Sequence, residues 1–286
     1  MNKIMKKILK IFGIILMLLF VVLTVSFYKF SAPSTNLKVI KDFNNNNTDV
    51  FIKNNSFKNF KYRVLTTQKT IDTSKTTVVF VHGAIGSFTD FKKYMFNKEL
   101  NSQANLISYD RIGYGIHQTG NVLGSITSET ALLEALIADL DPSKVILVGY
   151  SYGGPIVLAS KKNYKKIILL APAVYSKVEK IPWALKLYTW NATNWLVPKV
   201  WKAASKEKLL HIDNLQKLES KWNVNPSKII SIHGTKDNIV PYQNSLYLKD
   251  IFSSQQFELV PLEGAGHGLV WTHFNEIKNI FLQQLN

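Results

Sequence analysis

Short apolar runs alternate along this chain with longer stretches in which apolar residues recur at helical spacing. The runs at Tyr62 to Thr66, Thr77 to Val81, Leu106 to Tyr109, Val145 to Val148, Ile167 to Leu170, Lys228 to Ile232 and Phe257 to Val260 predict strands. Between the third and fourth of these, Glu129 to Leu140 carries Leu132, Leu133, Leu136, Ile137 and Leu140 on one helical face. An acid in its first turn and Pro142 just past its end complete the helix pattern. Such alternation predicts an α/β fold: a mostly parallel, doubly wound sheet with helices on both faces. Val145-Ile146-Leu147-Val148, apolar at every position, fits a strand covered on both sides. No internal repeat is present.

Three stretches break the rhythm. Ile11 to Phe27 is a nearly unbroken apolar run, interrupted only by Gly13, Thr24 and Ser26, behind a head with Lys3, Lys6, Lys7, Lys10 and no acid. Its length suits a membrane helix, at the short end of the ~17–25 residues required. It exceeds the ~7–15 residues of a typical signal core, and no clean A-x-A site follows, so residues 1–30 are expected to be an uncleaved anchor. The alternative is a signal segment cleaved near Ser31-Ala32, which leads to a secreted protein. The lysine-rich head places the amino terminus in the cytosol and the rest of this single-pass chain on the far side. Residues 31–59 are mostly polar around Asn44-Asn45-Asn46-Asn47 and are expected to be a linker, with a short edge strand near Val50 to Lys53. Asn46-Asn47-Thr48, Asn54-Asn55-Ser56 and Asn191-Ala192-Thr193 match glycosylation acceptors, which chance explains in so asparagine-rich a chain. From Ala173 to Asn225 no strand pattern occurs, yet Trp183, Trp190, Trp195, Trp201 and Trp222 all fall there, leaving only Trp271 elsewhere.

Composition narrows the classes. Hydrophobic residues make up 46% of the 286, ample for a packed core. The absence of cysteine excludes disulfides, thiol nucleophiles and thiolate metal sites. A formal charge of +16 raises the question of nucleic acid, but the only arginines are Arg63 and Arg111 and the lysines are scattered. Nucleic-acid surfaces lean on arginine and clustered charge, so a solvated lysine-rich surface, attracted to anionic lipid, is expected and no nucleic-acid partner is.

The chemistry centres on Gly149-Tyr150-Ser151-Tyr152-Gly153-Gly154, which follows the Val145 strand and precedes the helix-like Pro155 to Ala159. A buried strand ending in a tight turn offers one serine hydroxyl, with glycines where strand and helix approach closest. This is the G-x-S-x-G nucleophile elbow, and from about Phe60 to Asn286 the chain resembles the α/β-hydrolase family. The resemblance implies a hydrolase domain over residues 60–286 with a helical cap inserted at about 173–225. It also implies the chain order nucleophile, acid, histidine. The acid is then best placed at Asp237, in the loop His233-Gly234-Thr235-Lys236-Asp237 after the Lys228 strand, ahead of Asp213 and Asp250, which follow no strand end. The histidine is best placed at His267 in Gly264-Ala265-Gly266-His267-Gly268, ahead of His273 in a helix-like stretch. Ser151, Asp237 and His267 form the expected catalytic set.

Attack on a carbonyl creates an oxyanion, which needs preplaced N–H donors. The backbone N–H of Tyr152, following the nucleophile, is one candidate. By resemblance the other is Ala84 in His82-Gly83-Ala84-Ile85-Gly86-Ser87, with Ile85 the less favoured alternative. Tyr109-Asp110-Arg111-Ile112-Gly113-Tyr114-Gly115 is similar to the family's motif after strand four, and Asp110 is read there as structural; His117 stands where many relatives carry serine. No metal or nucleotide signature is present, the lysine of a phosphate loop being absent, and no cofactor is expected. A serine nucleophile sets the chain apart from the family's dehalogenases and epoxide hydrolases, and Tyr152 from its proline iminopeptidases. The expected activity is a serine hydrolase cleaving a small-molecule carboxylic ester, with an apolar and lipid-derived acyl group favoured by the anchor and the tryptophans. Carbon–carbon bond hydrolase, lactonase, amidase and haloperoxidase-like chemistries suit the same residues, and a non-catalytic binding protein on this fold is the reading from another class. The acyl length, leaving group and oligomeric state are not written in the sequence.

Overall fold

A computed structural model describes residues 3–285. Met1 and Asn2, at the start of the expected anchor, and Asn286, at the end of the expected hydrolase domain, lie outside the described residues. The chain opens with helix α1 (Lys3–Phe30), none of whose residues is buried, then α2 (Asn36–Asn44), β1 (Phe51–Phe57), β2 (Phe60–Thr66) and β3 (Thr76–Val81). Two short helices, α3 (Lys92–Phe96) and α4 (Lys98–Gln103), lead to β4 (Ala104–Tyr109) and α5 (Ile126–Leu136). Then come β5 (Val145–Tyr150), α6 (Gly153–Leu158) and β6 (Lys166–Leu170). The region before β7 (Ile229–Gly234) holds α7 (Leu185–Thr189), α8 (Lys199–Leu218) and 3₁₀ turns, with no strand. The chain closes with α9 (Gln243–Ile251), β8 (Phe257–Leu262), α10 (Leu269–Thr272) and α11 (Phe274–Leu285).

The eight strands form one sheet in the order β1-β2-β4-β3-β5-β6-β7-β8. The β1–β2 and β2–β4 pairs are antiparallel and the remaining pairs parallel. Every expected strand is present, with ends moved by a few residues. Alternation along the strands divides the core between two faces. Val79, Val81, Ile107 and Leu147 pack on one side with Leu132, Leu133, Ile156 and Val157, while Val78, Phe80, Leu106 and Val148 pack on the other with Phe91, Tyr94, Ile277 and Phe281. Burial on both faces explains why these strands are apolar at successive positions. The expected helix at Glu129 to Leu140 begins three residues earlier, because the Ser125 hydroxyl accepts the Ser128 N–H and caps it.

Residues 31–59, expected as a polar linker with a short edge strand near Val50 to Lys53, contribute that strand and a packed helix to the body. α2 buries Val39 and Phe43, four residues apart on one face, and β1 pairs along its whole length with β2 as the sheet's edge. Arg63 on β2 fastens this region inward. It is 1% exposed, bonds the Asp110 carboxylate through Nε at 2.7 Å, and donates through its terminal nitrogen to the Ser34 carbonyl and Asn36 Oδ1. Asp110 also accepts the Phe88 N–H at 3.2 Å, so it organises loops rather than facing a cleft.

Candidate active site

Parallel strands deliver the site to one edge of the sheet, beyond the carboxyl ends of β5, β7 and β8. Ser151 follows β5 directly, with φ of 54°. A left-handed backbone costs an ordinary residue about 1 kcal/mol or more, and it persists because its surroundings over-determine it. The Ser151 N–H donates to Leu170 of β6, and its carbonyl accepts from Gly154 and Ala173. Gly149 and Gly153 are required by close approach: a Cβ on Gly149 would sit 2.5 Å from the Gly153 carbonyl oxygen, and one on Gly153 would sit 2.2 Å from that of Val81.

His267 Nε2 lies 3.1 Å from Ser151 Oγ and its Nδ1 lies 2.7 Å from Asp237 Oδ2. The structure thus brings the three expected residues into one hydrogen-bonded row, whereas Asp213, Asp250 and His273 take no part in it. The Asp237 side chain is fully buried, and its Oδ1 accepts the N–H groups of Ile239 and Val240, both at 2.9 Å. Burial pushes its pKa up, but hydrogen bonds from His233 and His267, the charge on His267 and the Val240 amide outweigh that and hold it below the usual carboxylate range. It is therefore an anion at neutral pH, fit to orient an imidazole whose Nδ1 carries the proton. The His267 ring is held from behind by Tyr150, whose ring stacks at 5.2 Å and whose hydroxyl donates to the His267 carbonyl at 3.1 Å.

The loop after β3 supplies the opposite wall. His82 is buried and neutral: burial first, and the nearby Arg111 charge second, push its pKa well below the ordinary value. Its Nδ1–H donates to the Gly83 carbonyl at 2.7 Å and its Nε2 accepts the Arg111 N–H at 3.0 Å, which fixes the turn. The Ala84 and Tyr152 amides, expected as oxyanion donors, meet no acceptor among the described residues. Ile85, the alternative donor, is exposed and has φ of 60°, an outlier for a β-branched residue. A cavity of about 210 Å³ opens beside this loop, lined by Ile85, Gly86, Tyr114, Val200, Trp201 and the backbone turn after α1.

Two features escaped the sequence reading. His233 closes on Asp237, 3.4 Å from Oδ2, while bonding Ser245 through Nδ1; its place at the end of β7 was the available signal. Arg111 is the second. Fully buried, it donates to the Gly83 carbonyl, pairs with Glu207 of α8, lies 3.6 Å from Glu129 and rests over the Tyr152 ring at 4.6 Å. The Glu207 carboxylate also accepts from Tyr114 at 2.5 Å. Helix α8 is thereby tied to both sides of the expected oxyanion site. Among the described residues, no group of three histidines, acids or cysteines is gathered to hold a metal.

A family model described as alpha/beta hydrolase matches residues 78–276, a span running from β3 through the elbow to α11. The chain belongs to the alpha/beta hydrolase family. A comparison with curated proteins finds no match. Among solved structures, this hydrolase is similar to a candidate lipase from Acinetobacter baumannii AYE, with TM-score 0.63 and 17% identity over 88% of this chain and 94% of that one. It is also similar to a membrane phospholipase A described as a bacterial virulence factor, with TM-score 0.61 and 12% identity over 96% and 98%. A monoacylglycerol lipase of Paleococcus ferrophilus gives TM-score 0.57 and 15% identity over 73% and 93%. At such identities the likeness speaks for the fold.

Proposed function

We propose that this chain is a membrane-anchored serine hydrolase that cleaves a carboxylic ester through an acyl-enzyme. The observation that carries the reading is the unbroken row Ser151–His267–Asp237, set on a left-handed serine at the end of β5. Ser151 Oγ attacks the ester carbonyl while His267 Nε2 takes its proton, and the Asp237 carboxylate stabilises the imidazolium that forms. The negative oxygen of the tetrahedral intermediate accepts the N–H groups of Ala84 and Tyr152, which are dipoles fixed before the reaction begins. Collapse breaks the carbon–oxygen bond to the alcohol, which leaves with the proton held by His267. Water, deprotonated by the same ring, then attacks the acyl-serine and returns Ser151 to its starting state.

The insertion between β6 and β7 acts as a cap over this edge of the sheet, spanning about 173–225, and the apolar wall made by Ile85, Val200 and Trp201 favours an apolar acyl group. α1, long and apolar enough to cross a membrane, serves as the anchor rather than a cleaved signal, with the lysine-rich head in the cytosol and the hydrolase domain on the far side. Resistance of the chain to alkaline extraction from membranes, with its amino terminus intact by mass, is the expected outcome for an anchor.

The enzymatic reading is tested by a fluorophosphonate probe on the detergent-solubilised chain. Native protein should label and hydrolyse p-nitrophenyl esters, and Ser151→Ala should lose both, by about 10³-fold or more in kcat, while keeping its melting temperature. Labelling that survives in Ser151→Ala refutes the assignment.

A further inference from the structure

The apolar span of α1 ends at Phe27, and the segment between β6 and β7 meets the helix at that point. The Phe27 ring lies 5.4 Å from that of Trp201, Trp201 Nε1 donates to Ser31 Oγ at 2.9 Å, and the Tyr28 hydroxyl donates to the Trp195 carbonyl. Ile11 to Phe27 makes about 25 Å of helix at 1.5 Å per residue, close to the thickness of a bilayer's hydrocarbon. With α1 across a bilayer, Tyr28 to Ser31 sit where hydrocarbon gives way to headgroups, and Trp195 and Trp201 sit level with them.

The same segment exposes Trp183, Trp190 and Trp195 at 77%, 64% and 60%, together with Ile181 and Leu187. Phe30 and Leu37, just past the apolar span of α1, are exposed as well. Indoles so placed are unusual in water and favoured at a lipid–water boundary, where the ring meets acyl chains and the N–H meets water. Between residues 180 and 206 the chain carries Lys180, Lys186, Lys199, Lys202 and Lys206 and no acid. None of these lysines pairs with a carboxylate among the described residues. That charge complements an anionic leaflet.

We infer that the tryptophan-bearing surface of residues 181–195 rests in the lipid–water interface of the anionic membrane that α1 spans, and holds the cavity beside the Ile85 loop against lipid. The cavity of about 210 Å³ between the foot of α1 and the loop bearing Ile85 then receives an acyl chain from the bilayer without passage through water. The inference rests on the anchor and hydrolase readings above and narrows the substrate to esters resident in a membrane.

The test uses the full chain in vesicles of phosphatidylcholine and phosphatidylglycerol in equal amounts, with and without bromine on the acyl chains, which quenches indole fluorescence on contact. The fraction of native emission quenched should be at least about twice that in Trp183→Phe/Trp190→Phe/Trp195→Phe, whose remaining light comes from Trp201, Trp222 and Trp271. Equal fractions in the two proteins overturn the inference, as does a cross-linked dimer whose contact covers the three indoles. In a second arm, Trp183→Ser/Trp190→Ser/Trp195→Ser should hydrolyse a vesicle-borne long-chain ester at least about fivefold more slowly and a soluble short-chain ester at the native rate. Equal slowing on both substrates also overturns it. Quenching needs no turnover, so native protein that is quenched but hydrolyses nothing refutes the hydrolase reading and leaves the interface seating standing.

Discussion

Arg111 is one buried cation facing two buried carboxylates, and that imbalance has a consequence in solution. Among the described residues, Glu129 has neither oxygen within hydrogen-bond reach of a partner, and the Arg111 Nε atom 3.6 Å away is likewise unbonded. Burial pushes the Glu129 carboxyl up to about 7, Arg111 opposes that, and Glu207 adds to it. With Glu129 protonated, the Arg111–Glu207 pair is neutral as a whole. A carboxyl raised in the folded state contributes stability that is fully present below its unfolded pKa and is lost as pH rises through the folded one. Between about pH 6 and pH 8 the native chain should therefore lose about 1 kcal/mol more stability than Glu129→Gln, as read from denaturant midpoints at the two pH values. Asp237 behaves in the opposite sense: its depressed pKa keeps the carboxylate charged throughout that range.

Among the elements, α8 bears the most on the site, because Glu207 reaches from it to the cation that also grips the Gly83 carbonyl and the Tyr152 ring. Glu207→Ala should lower stability by about 3 kcal/mol. Glu129, freed of its rival, ionises to take over Arg111, so the alkaline loss of stability should disappear in this variant. Melting curves of Glu207→Ala, Glu129→Gln and the double variant check both outcomes through their non-additivity. Little of this cluster was legible in the sequence, since Arg111, Glu129 and Glu207 lie far apart in the chain and only packing joins them. The inner strands β3 to β7 were legible because burial on both faces demands nearly continuous apolar runs. β1 was not, apart from its first residues, because an edge strand paired on one side tolerates Lys53, Asn54 and Asn55. α2 has four apolar residues but buries only Val39 and Phe43, leaving Leu37 and Ile40 exposed, so its sequence shows no single clean apolar face within an asparagine-rich stretch. Ser151, Asp237 and His267 were legible from chain order and strand ends together. His233 was passed over because its value depends on how one loop folds back.

For the molecule as a whole, the path from α1 to the body is short and fastened at both sides. Arg63 holds Ser34 and Asn36 from within, and Trp201 holds Ser31 from the side. A long flexible tether lets a domain roam; this junction does not. On the anchored-esterase reading proposed above, the enzyme meets its ester as a population confined to two dimensions, and the quantity that governs its rate is the fraction of the surface that ester occupies. Diluting the ester with inert lipid at constant bulk amount should lower turnover in proportion to that fraction once the enzyme is below saturation, and adding further vesicles of unchanged composition should not. Its Michaelis constant is then properly a mole fraction, and the membrane's composition sets the rate.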